Sequence, residues 1–208
     1  MTKFILVRHG QTEWNRIERF RGRFDVPLNT AGIQQAQITG RRIAAQWQPV
    51  AVYSSPLLRA LKTAEAIAQP FQLPVQPVTD LIDIDYGFWQ GLSNDEVSVH
   101  WQTELEAWYN APHMLSIPGG ESLADLRNRA MKAIHWLADH HEDETIVLVG
   151  HTVINRVILL AVMGLGNERF WRVHQDTCAI NVFDKEGDDF TMITLNDTCH
   201  LAFANLFQ

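Results

Sequence analysis

Residues 3–12 read KFILVRHGQT, and this segment sets the architecture expected for the rest of the chain. Its aliphatic and aromatic run is typical of a buried strand, and the polar residues after it predict a loop at the carboxyl end of that strand. The pattern recurs at residues 145–152, TIVLVGHT, which lead into an apolar helix over residues 153–163. We therefore expect two buried strands, one followed closely by His9 and the other by His151.

Strands and helices alternate along the remainder of the chain. Thr30 is expected to cap one helix, and Pro56, a residue favoured at the first helical position, to begin another. The full pattern predicts helices over residues 30–47, 56–69, 93–109 and 122–137, and strands over residues 51–54, 75–78, 179–183 and 190–195. This alternation predicts an α/β fold, a three-layer α/β/α arrangement with a mostly parallel central sheet, a C-terminal hairpin and an inserted helical covering segment.

The acidic segment over residues 80–120 is the expected insertion. We interpret it as covering the site at the carboxyl edge of the sheet, within a single domain of residues 1–208, because no linker or repeat divides the chain. Its larger aromatic residues are interpreted as packing for the insertion rather than as a ligand platform. They are Trp89, Trp101, Trp108 and Tyr109.

Composition narrows the class of protein. Of the 208 residues, 46% are hydrophobic and 20% are charged, which excludes a disordered chain. The longest apolar run, residues 157–165, is about half of the roughly 20 residues that a bilayer span requires, so no membrane partner is expected. The first residues lack the apolar segment of a secretory signal. We therefore expect a cytoplasmic location, with Cys178 and Cys199 buried and reduced.

The net charge of −7 argues against a general nucleic-acid binder, but the charge is unevenly distributed. Residues 1–62 carry ten Lys and Arg against three Asp and Glu, whereas residues 63–126 carry no Lys or Arg and ten acids. The basic charge is therefore concentrated at the start of the chain, around the first strand.

Two imidazoles and two guanidiniums are expected at one edge of the sheet. In an open α/β sheet the ligand site lies beyond the carboxyl ends of the strands, which places His9 and His151 on the same rim. Arg8 precedes His9, and Arg59 lies one turn into the helix after another strand. Such a cluster is mutually repulsive unless a dianion occupies its centre, and guanidinium groups match phosphate oxygens bidentately. The alternative is a satisfied rim histidine beside a solvated arginine.

These residues carry a resemblance to the histidine phosphatase superfamily, in its phosphoglycerate-mutase-like branch. Residues 6–15, LVRHGQTEWN, resemble the signature of this family, and residues 54–64, SSPLLRALKTA, are similar to the segment that supplies its second phosphate-binding arginine. Further blocks match in the same order at residues 25–29 with Gly32, at residues 118–122 and at residues 147–151. The resemblance therefore covers nearly the whole chain and does not depend on a lone RHG motif.

The resemblance implies a mechanism. His9 attacks phosphorus and becomes a phosphohistidine, while Arg8 and Arg59 hold the phosphoryl oxygens together with a protonated His151. The neighbouring arginines lower the basicity of His9, which leaves one ring nitrogen unprotonated for the attack. No metal and no cofactor is expected, because the two arginines and the imidazolium supply the positive charge that a magnesium ion supplies elsewhere.

Three more residues are expected to bind substrate. Asn15 matches an additional phosphate hydrogen-bond donor of the family, and Thr152 directly follows His151. Arg21 stands where many relatives have an uncharged amide or a serine. The alternative for Arg21 is a solvated loop, because it belongs to a run with Arg16, Arg19 and Arg23.

The general acid is the main departure from the family pattern. The family usually places a glutamate three residues before a Tyr-Gly or Phe-Gly pair, and this chain has Asp83 three residues before Tyr86. Aspartate is one methylene shorter, but burial and a nearby phosphate would raise its pKa towards useful values. The alternative is that Asp83 caps a loop and that Asp85, or no residue, is the acid.

A phosphomonoester hydrolase that acts on a small phosphorylated metabolite is the expected function. A cofactor-dependent phosphoglycerate mutase is the first alternative, and it is disfavoured because residues 80–121 contain no Lys or Arg to hold a carboxylate and a second phosphate. A non-catalytic phosphate-binding module is the second. A metal site at His140 and His141 is disfavoured because these residues lie at a helix C-terminus. The sequence leaves the substrate and the oligomeric state open.

Overall fold

The computed structural model describes residues 1–17 and 19–202, and a six-stranded sheet forms its centre. The strands are β1 (Thr2–Arg8), β2 (Ala51–Ser54), β3 (Val75–Pro77), β4 (Thr145–Gly150), β5 (Ile180–Glu186) and β6 (Asp189–Asp197). The helices are α1 (Glu13–Arg16), α2 (Thr30–Gln46), α3 (Leu58–Ala68), α4 (Asn94–Asn110), α5 (Leu123–His140), α6 (Thr152–Val162) and α7 (Cys199–Ala202).

The sheet has the strand order β3-β2-β4-β1-β5-β6. Its first four strands are parallel, and the β5–β6 hairpin is antiparallel at one edge, as the sequence predicts. β1 and β4 are neighbours whose register places Arg8 opposite Gly150. Because both strands end at this pair, the residues that follow them, His9 and His151, leave the same edge of the sheet side by side.

Two helical layers cover the two faces of the sheet, and alternate residues of β1 supply one core each. Phe4 and Leu6 pack in the core that includes α5 and α6, whereas Ile5 and Val7 pack in the core that includes α2 and α3. All four side chains are fully buried. Since successive side chains of a strand point to opposite faces, this pattern confirms the three-layer α/β/α arrangement.

Two helix starts differ from the predictions. Asn29, and not Thr30, caps α2, because its side chain already accepts a hydrogen bond from the Gly32 N–H. The third helix begins at Leu58 rather than at Pro56. The chain stays extended past β2 because the Ser55 N–H donates to a carbonyl of β4.

The covering segment packs its aromatic residues against the core, as predicted for Trp89 and Trp108, which are both buried. The capping box of Ser93 and Glu96 begins α4 as expected, and the helix is kinked at Trp101. That a single domain spans the chain, with this segment inserted, stays a prediction.

The two cysteines differ in exposure. Cys178 is buried, as predicted, whereas Cys199 is exposed because it begins the short helix α7 at the surface. None of the described helices combines the length and the apolar character needed to cross a membrane.

Candidate active site

The two histidines that follow β1 and β4 meet at the carboxyl edge of the sheet. The centroids of the His9 and His151 rings lie 5.2 Å apart, and the two residues are 1% and 0% exposed. The loop after β1 is held by close backbone contact, since a Cβ on Gly10 would collide with the backbone of Gly32 at the start of α2. The Gly10 N–H also donates to Thr63 Oγ1 of α3, at 3.0 Å. Helices α2 and α3, which lie in the same helical layer, therefore fix the backbone next to His9.

The hydrogen bond of His9 defines its tautomer. His9 Nδ1 lies 2.6 Å from the carbonyl oxygen of Gly10, and because a carbonyl oxygen only accepts, Nδ1 carries the proton. Burial holds the pKa of His9 well below its ordinary value, and the charges of Arg59 and Arg8 add to the effect. The imidazole is therefore neutral, with an unprotonated Nε2 that has the lone pair a nucleophile needs.

His151 is the opposite tautomer. Its Nδ1 accepts a hydrogen bond from Arg59 Nε at 3.1 Å, and its Nε2 donates to Ser55 Oγ at 2.7 Å. Burial, followed by the charge of Arg59, holds the pKa of His151 well below its ordinary value. This differs from the expectation of a protonated His151. The sequence could not anticipate it, because the donor from Arg59 takes up the ring nitrogen that a second proton would need.

Arg59 is a fully buried guanidinium at the start of α3. Its terminal nitrogens donate to the carbonyl oxygens of Phe24, at 2.6 Å, and Gly22, at 2.8 Å. Burial lowers the pKa of Arg59 to about 10, so the group stays charged at neutral pH. Together with the bond to His151, these contacts hold the guanidinium in one orientation.

Arg8 is the second buried guanidinium of the site. One terminal nitrogen donates to the Gln175 carbonyl at 2.5 Å, while its buried Nε has no hydrogen-bond partner in the described part of the chain. Burial lowers the pKa of Arg8 to about 9, which still leaves it charged at neutral pH. A buried donor without a partner is costly, and an anionic oxygen would satisfy it.

The structure distinguishes the two candidate acids. Asp83 is 5% exposed, its Oδ1 has no partner within residues 1–17 and 19–202, and its Oδ2 lies 3.9 Å from a terminal nitrogen of Arg59. Burial raises the pKa of Asp83, although the charge of Arg59 opposes the shift. Asp85 instead accepts from the Gly87 N–H and pairs with Arg23 at 3.0 Å. Asp83 therefore has the environment of a proton donor, and Asp85 has that of a loop anchor.

A cavity of about 500 Å³ opens at this edge of the sheet. Five of the predicted site residues line it: Arg8, Asn15, Arg21, Asp83 and Thr152. His9, Arg59 and His151 are not among the lining residues. The chain neighbours of the two histidines, Arg8 and Thr152, form part of the wall.

The three predicted substrate contacts have different hydrogen-bonding states. Asn15 Oδ1 accepts from both the backbone N–H and the hydroxyl of Thr12, each at 2.8 Å, so the amide nitrogen is the group that it can offer to a ligand. Arg21 donates from one terminal nitrogen to the Trp14 carbonyl at 3.0 Å. Thr152 Oγ1 is buried and has no partner in the described ranges. All three line the cavity.

An arginine that the sequence pattern does not predict positions the loop that carries Asp83. Arg129 of α5 donates to the carbonyl oxygens of Asp80, Ile82 and Asp83 at 2.7 to 3.0 Å, and it forms a two-point ion pair with Glu121. Nothing in the local sequence marks this residue, because an arginine on the polar side of an amphipathic helix is usually solvated.

The outer part of the cavity also differs from the predictions. Trp108 and Tyr109 also line the cavity, so Trp108 both packs in the core and forms part of the cavity wall. Arg156 of α6 lines it too, which the absence of Lys and Arg from residues 80–121 did not reveal. The signal was present in the sequence as a single cation within the apolar run of α6.

The cluster at the end of α5 has no metal-site geometry. His141 lies between the Tyr53 hydroxyl, at 2.8 Å, and a Glu144 carboxylate oxygen, at 2.6 Å, and His140 contacts the Trp136 carbonyl. Across the described residues, no three His, Cys, Asp or Glu side chains are grouped so that they could hold a metal ion.

Comparison with known proteins agrees with this geometry. The family model of the histidine phosphatase superfamily, branch 1, matches residues 4–198. Phosphoserine phosphatase 1 of Hydrogenobacter thermophilus is 35% identical to this chain over 201 residues, which cover 97% of this chain and 95% of the relative. The metal-independent phosphoserine phosphatase of Arabidopsis thaliana is 37% identical over 164 residues, covering 78% and 69% of the two chains.

A solved structure extends the similarity to the fold. A mutant phosphoserine phosphatase from Entamoeba histolytica, in complex with phosphoserine, superposes with a TM-score of 0.84 at 28% sequence identity. The match covers 97% of this chain and all of the other. The arrangement of strands described above is therefore shared over essentially the whole chain.

Proposed function

The chain belongs to the histidine phosphatase superfamily and is a phosphoric monoester hydrolase that acts on a small phosphorylated metabolite, and from this premise we propose that His9 is its nucleophile and phosphoserine its substrate. The observation that carries the proposal is the protonation state and tautomer of His9. A neutral imidazole, with its proton fixed on Nδ1 by Gly10, lies beside two guanidiniums that stay charged at neutral pH.

In the first step, Nε2 of His9 attacks phosphorus and the bond between phosphorus and the ester oxygen breaks. Protonated Asp83 transfers its proton to the departing oxygen, so the alcohol leaves neutral. The raised pKa of Asp83 supports this role, because it favours the protonated carboxyl at the start of the reaction. The products of the step are the free alcohol, a phosphohistidine and an ionised Asp83.

In the second step, the ionised Asp83 accepts a proton from water, whose oxygen attacks the phosphohistidine. The bond between phosphorus and Nε2 breaks, inorganic phosphate leaves, and both His9 and the protonated Asp83 are regenerated. The overall reaction is hydrolysis of the phosphomonoester to the alcohol and inorganic phosphate.

The charge of the transferring phosphoryl group is balanced by arginine. Arg59 is held in position before substrate binds by two carbonyl oxygens and by His151, and Arg8 offers a buried Nε without a partner. Charged donors fixed in a low-dielectric site stabilise a transition state without reorganising. Arg21, Asn15 and Thr152 supply further donors from the cavity wall. We therefore propose catalysis without a metal ion, which the name of the Arabidopsis relative supports.

Phosphoserine is proposed because two relatives and a structural neighbour carry this substrate in their descriptions. The cavity of about 500 Å³ is large enough for so small a molecule. The cytoplasmic location and the absence of nucleic-acid and membrane partners stay predictions from composition.

The test is phosphate release from phosphoserine in the presence of a chelator. We expect turnover that is unchanged by the chelator, and little or no 2-phosphoglycerate from 3-phosphoglycerate primed with 2,3-bisphosphoglycerate. A strict magnesium requirement would contradict the proposed mechanism. Interconversion of phosphoglycerates that outpaces phosphate release would identify a mutase instead.

A further inference from the structure

Arg156 is a fixed cation in the outer part of the cavity. It lies on α6, one turn after Thr152, and both residues line the cavity. Its guanidinium carbon lies 5.1 Å from the ring centroid of Phe170 and 5.1 Å from that of Trp171. Contact with two aromatic rings restricts the guanidinium to one region and stabilises its charge.

This guanidinium has no anionic partner. Its Nε is buried without a hydrogen bond, and no carboxylate within residues 1–17 and 19–202 comes within ion-pair distance of it. Arg19 and Arg129 differ from it in this respect, since Arg19 pairs with Glu96 and Arg129 pairs with Glu121. Burial lowers the pKa of Arg156, because removal from water disfavours the charged form. A structural role alone would call for a partner or for an apolar residue of similar length.

Arg156 lies next to the end of the cavity that is formed by Arg8 and Thr152, here called the phosphate end, and not within it. Its charge acts on Arg8 and on Tyr86, whereas the leading charges that act on His9 are those of Arg59, Arg8 and Arg21. Four residues along a helix correspond to about 6 Å, so the backbone of Arg156 is about that far from Thr152 along α6. Helical side chains lean towards the N-terminus, which directs the guanidinium back towards the phosphate end.

We propose that Arg156 binds a carboxylate of the substrate, and that the substrate is therefore a phosphorylated carboxylic acid. This inference rests on the proposed function, because it places the phosphoryl group at His9. The Nε–H edge of a guanidinium matches the two oxygens of a carboxylate. A second phosphate dianion fits less well, because Arg156 is a single cation and Arg8, on which its charge acts, is assigned to the transferring phosphoryl group.

Phosphoserine and phosphoethanolamine form the matched pair that tests this inference, because the second molecule lacks only the carboxylate. The unmodified enzyme is expected to have the higher kcat/KM with phosphoserine. Arg156→Met keeps the length and the aromatic contacts of the side chain but removes the charge. Since a hydrogen bond to a charged group contributes about 1.5 to 3 kcal/mol, the ratio of the two kcat/KM values should fall about 10- to 100-fold. Arg172→Met, at an exposed arginine outside the cavity lining, should leave that ratio unchanged.

The other outcomes overturn the inference. An equal loss with both substrates means that Arg156 supports the fold or the phosphate end, and an unchanged ratio means that it does not touch the carboxylate. If Arg156→Met melts below the assay temperature, Arg156→Lys replaces it. The lysine variant should retain a preference for phosphoserine. An equal loss of kcat/KM with both substrates would again contradict the inference.

The design also separates this inference from the proposed function. An unmodified enzyme that hydrolyses phosphoethanolamine and p-nitrophenyl phosphate at least as well as phosphoserine overturns the carboxylate site but leaves the hydrolase intact. An enzyme that hydrolyses none of the three overturns the function itself.

Discussion

The inner and outer ends of the cavity are built in different ways. At the inner end, His9, His151 and Arg59 are fixed by hydrogen bonds to backbone carbonyl oxygens, to Ser55 and to one another. At the outer end, Arg156 is held by aromatic rings and has no hydrogen bond in the described part of the chain. The two histidines and Arg59 of the inner end are therefore held in place before substrate binds, whereas Arg156 at the outer end has no carboxylate partner among the described residues.

This difference assigns separate tasks to the two ends. Sheet register determines the inner end, because parallel pairing of β1 with β4 brings His9 next to His151 whatever the substrate. Side chains from α4, α6 and the residues that follow α6 determine the outer end, and their substitution changes the space and charge there without moving the sheet. We expect variants of the inner end to impair every substrate, and variants of the outer end to change the choice among substrates.

Asp83 lies 3.9 Å from Arg59, and among the variants that keep His9 its substitution has the largest effect that we predict. Asp83→Asn keeps the shape of the side chain but removes the transferable proton. With phosphoserine, whose alkoxide is a poor leaving group, kcat should fall about 1,000-fold, within the range typical of a general acid. With p-nitrophenyl phosphate, whose leaving group departs without protonation, the fall should be far smaller. Steady-state kinetics with the two substrates measure the difference.

The assignment of Asp83 as the general acid also predicts how activity changes with pH. Burial raises the pKa of Asp83, and activity should fall as rising pH ionises it. Burial lowers the pKa of His9, so the loss of activity from its protonation should begin well below the ordinary range for histidine. The optimum should therefore lie on the acidic side of neutrality, and Asp83→Asn should abolish the alkaline limb. Asp85→Asn should leave this limb in place, and loss of the limb in that variant instead would mean that the acid is misassigned.

Arg59→Ala should have the next largest effect on the rate, and this variant changes only the inner end of the cavity. Removal of this charge should lower the rate on the order of 100-fold with every phosphomonoester, because a donor to the transferring group is lost. Lys62→Ala, at an exposed position on the same helix, serves as the matched control and should retain full activity. A loss confined to one substrate would contradict the division between the two ends.

Arg129→Met should have the smallest effect of the three. The loop that carries Asp83 loses its donors to three carbonyl oxygens, and the displaced carboxyl should lower kcat with phosphoserine about tenfold. The loss should again be smaller with p-nitrophenyl phosphate, and the alkaline limb of the pH profile should shift. Arg127→Met removes contacts to Leu165 and Asn167 from the same helix but none to the loop that carries Asp83. An identical loss in both variants would assign Arg129 to stability alone.

The same division describes how much the sequence could predict. Strand periodicity and the polar residues at strand ends place the inner end, because both depend on residues adjacent in sequence. Arg156 depends on packing between α6 and two aromatic residues of a later segment, and no local pattern encodes that contact. The tautomer of His151 depends on Arg59, 92 positions away. The cap of α2 and the start of α3 differ from the predictions by one and two residues, since Asn29 and the extended chain after β2 compete with nearby helix signals.

Identification of the phosphorylated residue tests the central claim most directly. Rapid mixing with phosphate-labelled phosphoserine, followed by an alkaline quench and peptide mapping, should find acid-labile label on His9. His9→Ala should remain folded, carry no label and lose essentially all turnover. Label on His151, or a His9→Ala variant that retains both turnover and a labelled enzyme, would contradict the account.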